Sequence, residues 1–308
     1  MNTHADDTNN MFQIFVLPSL LALLGIAVLR AVLGPRHAAW GGLLGLLCAL
    51  AWLPGFEWPA GTRTLKLPWI VLAGLGLAVL QAVHARNNGS PALIWLAASA
   101  VWAAAMLWLA GGQVSPLALG AATLLGWAVL TLLAWGRYEA PARRAVLAAV
   151  LTLASLGLAG LCATGGSLLL AQLGLMLASS VAVVGIWSWW RPASGLVVSP
   201  ALLLAFGLAW LSIAWSWVLA APAAATVFTV DAASAARVAV LALVFLSPSV
   251  LPRRGVTGRA SSWRRGLAVA LAILPIMVAL AWSGGAGRAP MPDTATDPND
   301  PYLTPSWR

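Results

Sequence analysis

Apolar runs of about 20 residues, bounded by charge, Gly or Pro, recur along the whole chain. Read in order they predict ten helices, roughly at 11–30, 38–54, 67–84, 91–110, 116–135, 145–163, 167–190, 199–220, 232–251 and 266–283. At 1.5 Å per residue, a run of this length covers about 30 Å of hydrocarbon. Three starts share one local signal. Ser90-Pro91, Ser115-Pro116 and Ser199-Pro200 each put an N-capping hydroxyl before a proline, whose missing N–H costs nothing at the first helical position. The second run is the shortest, because Pro54 closes it near the lower limit for crossing. A re-entrant segment is the alternative there.

The pattern predicts an all-α, polytopic transmembrane bundle of about ten spans. It consists of a polar amino-terminal segment over 1–10, a helical domain over 11–288 and a tail over 289–308. That tail is rich in Pro, Asp, Thr and Asn and is expected to be disordered on the periplasmic side. Composition agrees with this class. Of 308 residues 61% are hydrophobic and 8% charged, and the mean hydropathy is +0.89. An ordinary soluble domain carries roughly 25% charged residues. A soluble enzyme, a disulfide scaffold and a disordered chain are excluded.

Net charge is +9, but the basic residues lie in short loops between apolar runs and form no nucleic-acid face. Their distribution gives orientation instead. With the amino terminus outside, the inside set is Arg30, Arg36, Arg86, Arg137, Arg143, Arg144, Arg191, Arg253, Arg254, Arg259, Arg264 and Arg265. The outside set is Arg63, Lys66, Arg237, Arg288 and Arg308. Twelve against five predicts both termini outside, and an inside surface that rests on anionic headgroups. Asp6 and Asp7 lead the first run, so it is expected to be an uncleaved anchor and not a signal peptide.

Most of the 18 tryptophans fall near span ends, as an aromatic belt requires. Trp102, Trp127 and Trp210 sit near mid-span and are expected to fill gaps between helices. The group Trp187, Trp189, Trp190 with Arg191 is read as belt. Gly41 and Gly45 form a GxxxG pair that permits close helix packing, and Pro275 is expected to kink the tenth span. Residues 104–137 and 158–191 align without gaps at ten positions, among them Gly111-Gly112 with Gly165-Gly166 and Trp135 with Trp189. A two-helix repeat is one reading of this match.

Chemistry is sparse. Outside the tails the acids are Glu57, Glu139 and Asp231. Glu139 is expected to be a solvated ion-pair partner, and Asp231 an N-cap of the ninth helix. Glu57, between Phe56 and Trp58 with Arg63 nearby, makes Glu57, Asp231 and Arg63 a candidate polar site at the outer face. An amphipathic loop lying on headgroups accounts for the same residues. His4, His37 and His84 have no ligand spacing. Cys48 and Cys162 lie inside apolar runs, without the spacing of a metal site. No catalytic residue, metal ligand or cofactor site is predicted. A neutral polar set remains inside the spans: Gln172, Thr152, Ser155, Ser179 and Ser180, with Thr123. These form a candidate seam, although such hydroxyls more often bond their own or a neighbouring helix.

The segment GGSLLLAQLG, Gly165 to Gly174, resembles a stretch of uncharacterised bacterial multi-spanning inner-membrane proteins. The resemblance covers little of the chain and implies no activity. The expectation is a non-enzymatic, multi-pass protein of the bacterial inner membrane, a scaffold or assembly partner for another membrane protein. A permease for a small neutral or amphipathic solute is the alternative. A lipid-modifying enzyme using Glu57 and Asp231 ranks third.

Overall fold

In hydrocarbon each backbone N–H and C=O has to be satisfied within its own segment, so apolar runs of this length become helices. The computed structural model describes residues 16–35, 37–86, 92–112, 114–135, 141–190, 196, 198–220, 232–250 and 259–286. Among them are ten α-helices: α1 Leu17–Leu33, α2 Trp40–Trp52, α3 Arg63–Arg86, α4 Ala92–Ala110, α5 Pro116–Trp135, α6 Pro141–Thr164, α7 Leu168–Trp190, α8 Pro200–Ala220, α9 Ala232–Ala242 and α10 Arg259–Ala286. A 3-10 helix, Leu243–Val250, continues α9. Seven of these helices, α3 to α8 and α10, are long and apolar enough to cross a membrane, while α1, α2 and α9 with its continuation are shorter.

Two helix starts form as their sequence dictates. Ser115 Oγ accepts from the Ala118 N–H at 3.3 Å and Ser199 Oγ from the Leu202 N–H at 3.1 Å, so each serine satisfies a donor the first turn leaves free. Ser90 and Asp231, the other expected caps, lie outside the described residues. Glycine turns close the two hairpins of the internal match. Gly111 and Gly112 adopt φ of 60° and 77°, and Gly166 adopts 78°, conformations that cost glycine nothing. In the second hairpin the Ser167 N–H returns to the Cys162 carbonyl at 2.9 Å and the Gly165 N–H to Leu161 at 3.0 Å, which satisfies the last carbonyls of α6.

Three helices begin four or more residues earlier than expected, among them α6, which starts at Pro141 and not at 145. Helix α10 begins at Arg259 and not at 266, so Arg259, Arg264 and Arg265 are carried on helix instead of loop. Helix α3 begins at Arg63, four residues early. The last two extensions are polar enough to be solvated by headgroups, and hydropathy windows stop where such residues begin. Helix α10 also runs uninterrupted through Pro275.

Packing is organised around α8. Every residue from Ala201 to Val218 is buried, and α8 is enclosed by α2, α3, α4, α5, α9, α6 and α7. Helix α1 lies outside this ring on α2 and α7, and α10 lies outside on α6 and α9. Small residues set the closest approaches. A methyl group on Gly41 or Gly45 would strike the backbone of Gly25, Leu21 or Ala22, so the GxxxG pair brings α1 and α2 into backbone contact. Gly157 and Gly160 of α6 instead receive side chains, Leu241 of α9 and Ile276 of α10 at the first and Leu280 of α10 at the second. The core is filled by large side chains. Trp210 is fully buried edge-on to Phe245, with ring centroids 5.3 Å apart, and Trp102 lies against Gly126. Trp127, by contrast, is 42% exposed and fills no gap, contrary to the sequence reading. It falls on a face of α5 that the described residues leave partly open.

Candidate functional site

At the end of the bundle where α3 begins, the loop after α2 folds back over the helices. Phe56 stacks on Trp69 at 4.3 Å between centroids, and Trp58 meets Trp69 at 5.3 Å and Trp108 at 6.3 Å. The Trp69 indole N–H donates to the Glu57 carbonyl at 3.2 Å, so the Glu57 backbone anchors the loop while its side chain is exposed. The rings touch one another, so the cluster is packed and leaves no cage between them.

Arg63 and Lys66 do something their sequence positions did not suggest. Arg63 Nη1 donates to the Leu219 carbonyl at 2.7 Å, and Lys66 Nζ to the Trp108 carbonyl at 2.7 Å. Both acceptors lie in the last turn of a helix, α8 and α4 respectively. There the final carbonyls have no intrahelical partner and the macrodipole is negative. Lys66 also lies 5.5 Å from the centre of the Trp108 ring, a cation-π geometry. Hydrogen bonds from charged groups contribute about 1.5–3 kcal/mol. Of the expected polar site of Glu57, Asp231 and Arg63, the structure describes two residues. Arg63 caps α8, the Glu57 side chain faces out, and Asp231 lies outside the described residues.

The interior polar set is also divided. Ser155 and Ser180 are fully buried, whereas Thr152, Ser179 and Gln172 are half-buried. Three of the hydroxyls turn back on their own helix: Thr152 to Ala148 at 2.9 Å, Ser155 to Leu151 at 2.8 Å and Ser179 to Met176 at 2.9 Å. Thr123 likewise donates to Leu119 at 2.7 Å. Ser180 Oγ is buried without a hydrogen-bond partner, beside α2 where Gly42 approaches the Ser180 carbonyl. Gln172 lies on the half-exposed stripe of α7 that includes Leu175, Ser179, Ala182 and Ile186. Ser155 and Ser180 thus face the interior, while Gln172 and Ser179 share the half-exposed stripe.

Two apolar grooves open between helices. The first, about 320 Å³, lies where α5 and α9 flank α8. Its walls are alanines, including Ala118, Ala122, Ala235 and Ala239, with Trp102 and Trp215 behind them. The second, about 310 Å³, lies where α7 and α10 flank α6. It is lined by Ala149, Thr152, Leu153, Ala182, Gly185, Ile186, Trp189 and Val269. Sequence reading missed both, since nothing local marks a place where two helices fail to close. Among the described residues no group of three or more His, Cys, Asp or Glu side chains comes together. At the other end of the bundle Arg144 Nη1 donates to the Val198 carbonyl at 3.1 Å, tying the start of α6 to the segment that leads into α8. Comparison with protein-family models, with curated proteins and with solved structures found no match.

Proposed function

We propose that this chain is a non-enzymatic, multi-pass protein of the bacterial inner membrane that works by holding another membrane component, as a scaffold or assembly partner. The observation that carries the reading is the burial of α8 along its whole length. A solute route through a bundle follows its axis, and here Phe206, Trp210 and the rest of α8 occupy that axis. The hydroxyls of α8 are committed within it, Ser212 to Leu208 and Ser216 to Ser212, both at 2.7 Å.

Ten spans with both termini periplasmic is the topology we infer. The shorter helices bear on the count. Eleven residues of α9 and eight of the 3-10 helix reach about 32 Å together, because a 3-10 turn rises about 2.0 Å per residue against 1.5 Å in an α-helix. Helix α2, at 13 residues, covers only about 20 Å, so the second span remains the shortest. The contacts of Arg63 with the end of α8 and of Lys66 with the end of α4 fit the antiparallel succession that the topology requires.

The test of function uses the purified full chain in vesicles and the chain in its native membrane. A scaffold migrates in a complex of fixed stoichiometry and leaves vesicle permeability to a panel of small neutral solutes unchanged. Faster solute entry, with the chain migrating alone, overturns the reading in favour of a permease. A reporter fused at Arg308 that is active only outside the cytoplasm tests the topology, and an inactive fusion refutes it.

A further inference from the structure

We propose that the loop between α2 and α3, together with the end of α2, draws one leaflet of the bilayer down onto itself, so that the membrane is thinner there than around the rest of the bundle. The partner of this surface is the headgroup layer. The inference rests on the membrane reading above but not on the scaffold role, since a permease built this way would depress the leaflet equally.

Helix α2 is short beside its neighbour. Its 13 residues cover about 20 Å. The tight turn before it, where the Trp40 and Gly41 N–H groups reach the His37 and Ala38 carbonyls, adds about 6 Å. The 23 residues of α7, which packs on α2, cover about 35 Å. A span shorter than the hydrocarbon is accommodated by long basic side chains at its ends, by association with another chain or by thinning of the bilayer. The last turn of α2 carries no basic residue, and Arg63 and Lys66 beyond the loop are bonded to the Leu219 and Trp108 carbonyls. Another chain would find little of α2 to cover, because α1, α3 and α7 already pack on it. Nor can α2 slide, since Gly41 and Gly45 lock it against the backbone of α1 and Gly42 meets the Val184 side chain of α7.

The loop fixes the depth. Trp69, whose indole bonds the Glu57 carbonyl and stacks on Phe56, stands six residues along α3 from Arg63, as much as about 9 Å. Arg63 itself reaches the last turn of α8, so the loop is fastened below the level at which α8 ends. Residues Phe56 to Pro59 are exposed there, the Glu57 side chain among them. Exposed irregular backbone with a carboxylate has no place in hydrocarbon, so headgroups and water come down to meet it. Trp52 and Trp58, 71% and 73% exposed, set amphipathic rings at this lowered boundary. On the far side of α4 the same height is apolar. Trp58 meets Trp108 of α4, and two residues along that helix Met106 Sδ receives the Thr123 hydroxyl of α5 at 3.5 Å. Leu124, the next residue of α5, is 67% exposed and stands close to level with the loop.

That pairing supplies the experiment. Single spin labels are placed at Glu57→Cys and at Leu124→Cys in the full chain carrying Cys48→Ala and Cys162→Ala, reconstituted in phosphatidylcholine vesicles. Collision with a water-soluble nickel chelate and with oxygen then reports the surroundings of each label. Relative to oxygen, the chelate should reach position 57 several times more readily than position 124. Two labels in hydrocarbon would mean a flat leaflet and overturn the proposal. Two labels in water would overturn it as well, because the whole end of the bundle would then stand clear of the bilayer. Extraction of the unaltered chain by alkaline carbonate would instead refute the membrane reading on which the proposal rests. Both labelled side chains are exposed, and Gly61→Cys, in open space, replaces Glu57→Cys if that variant does not elute as a single folded species.

Discussion

Helices α8 and α10 are similar by sequence and opposite in surroundings. Both contain a stretch of at least 18 apolar residues free of acids, yet 94% of that stretch is buried in α8 and 17% in α10. Apolar character along a run therefore reports exclusion from water and says nothing about whether protein or lipid replaces it. What separates the two is the neighbours each one meets. Helix α8 carries Ser212 and Ser216, whose hydroxyls are buried and bonded inside the helix, and Gly207, against which Leu133 packs. Helix α10 presents Leu274, Met277 and Val278, each more than half exposed, on the face away from α6.

The sharpest way to break this comparison is to truncate an aromatic in each helix. Trp210→Ala in α8 should cost about 3–5 kcal/mol, as large core truncations do, whereas Trp282→Ala in α10, 46% exposed, should cost less than about 1 kcal/mol. Reversible unfolding in mixed micelles measures both, and equal losses would deny that α8 is the centre. Next in size is the cap. Arg63→Leu removes the charged donor from the Leu219 carbonyl and should cost about 1.5–3 kcal/mol, seen as early amide exchange at the end of α8. Glycine substitutions follow. Gly207→Leu drives a side chain into Leu133 and should cost about 1–3 kcal/mol. Gly266→Leu meets open space in α10 and should be neutral or stabilise slightly, since leucine is the better helix former. The smallest effect belongs to Ser212→Ala, at about 0.6 kcal/mol or less. A larger loss there would mean that its hydroxyl also serves a neighbouring helix.

Local features were the legible ones. Ser115 and Ser199 cap their helices because the acceptor and donor lie three residues apart, and Gly41 and Gly45 imply close packing from their spacing alone. Long-range partners were not legible. Arg63 and Lys66 entered the reading as loop charges, but their carbonyls lie 156 and 42 residues away in sequence. The spread of the candidate polar seam over several faces was legible in the sequence. Ser179 and Ser180 are consecutive, and a helix turns about 100° per residue, so the two hydroxyls could never share one line with Gln172. The alternation of small and large residues in α8 gave no sign of its place in the ring, because the same composition suits a helix packed against lipid chains on several sides.

The enclosure of α8 also sets a timetable. Helices that wrap it are made both before it and after it, and α2 leaves the ribosome well over a hundred residues ahead of Ala220. At roughly 5–20 residues per second, that interval lasts on the order of ten seconds or more. During it, α2 to α7 have no central helix to pack against and cannot adopt their final arrangement. The hairpin of α1 and α2, locked by Gly25, Gly41 and Gly45, is able to form at once and wait. The surfaces destined for α8 stay open to the bilayer, to the insertion machinery or to a passing chaperone until their occupant arrives. A chain built this way is vulnerable to stalling and truncation just short of α8, and far less so beyond α10.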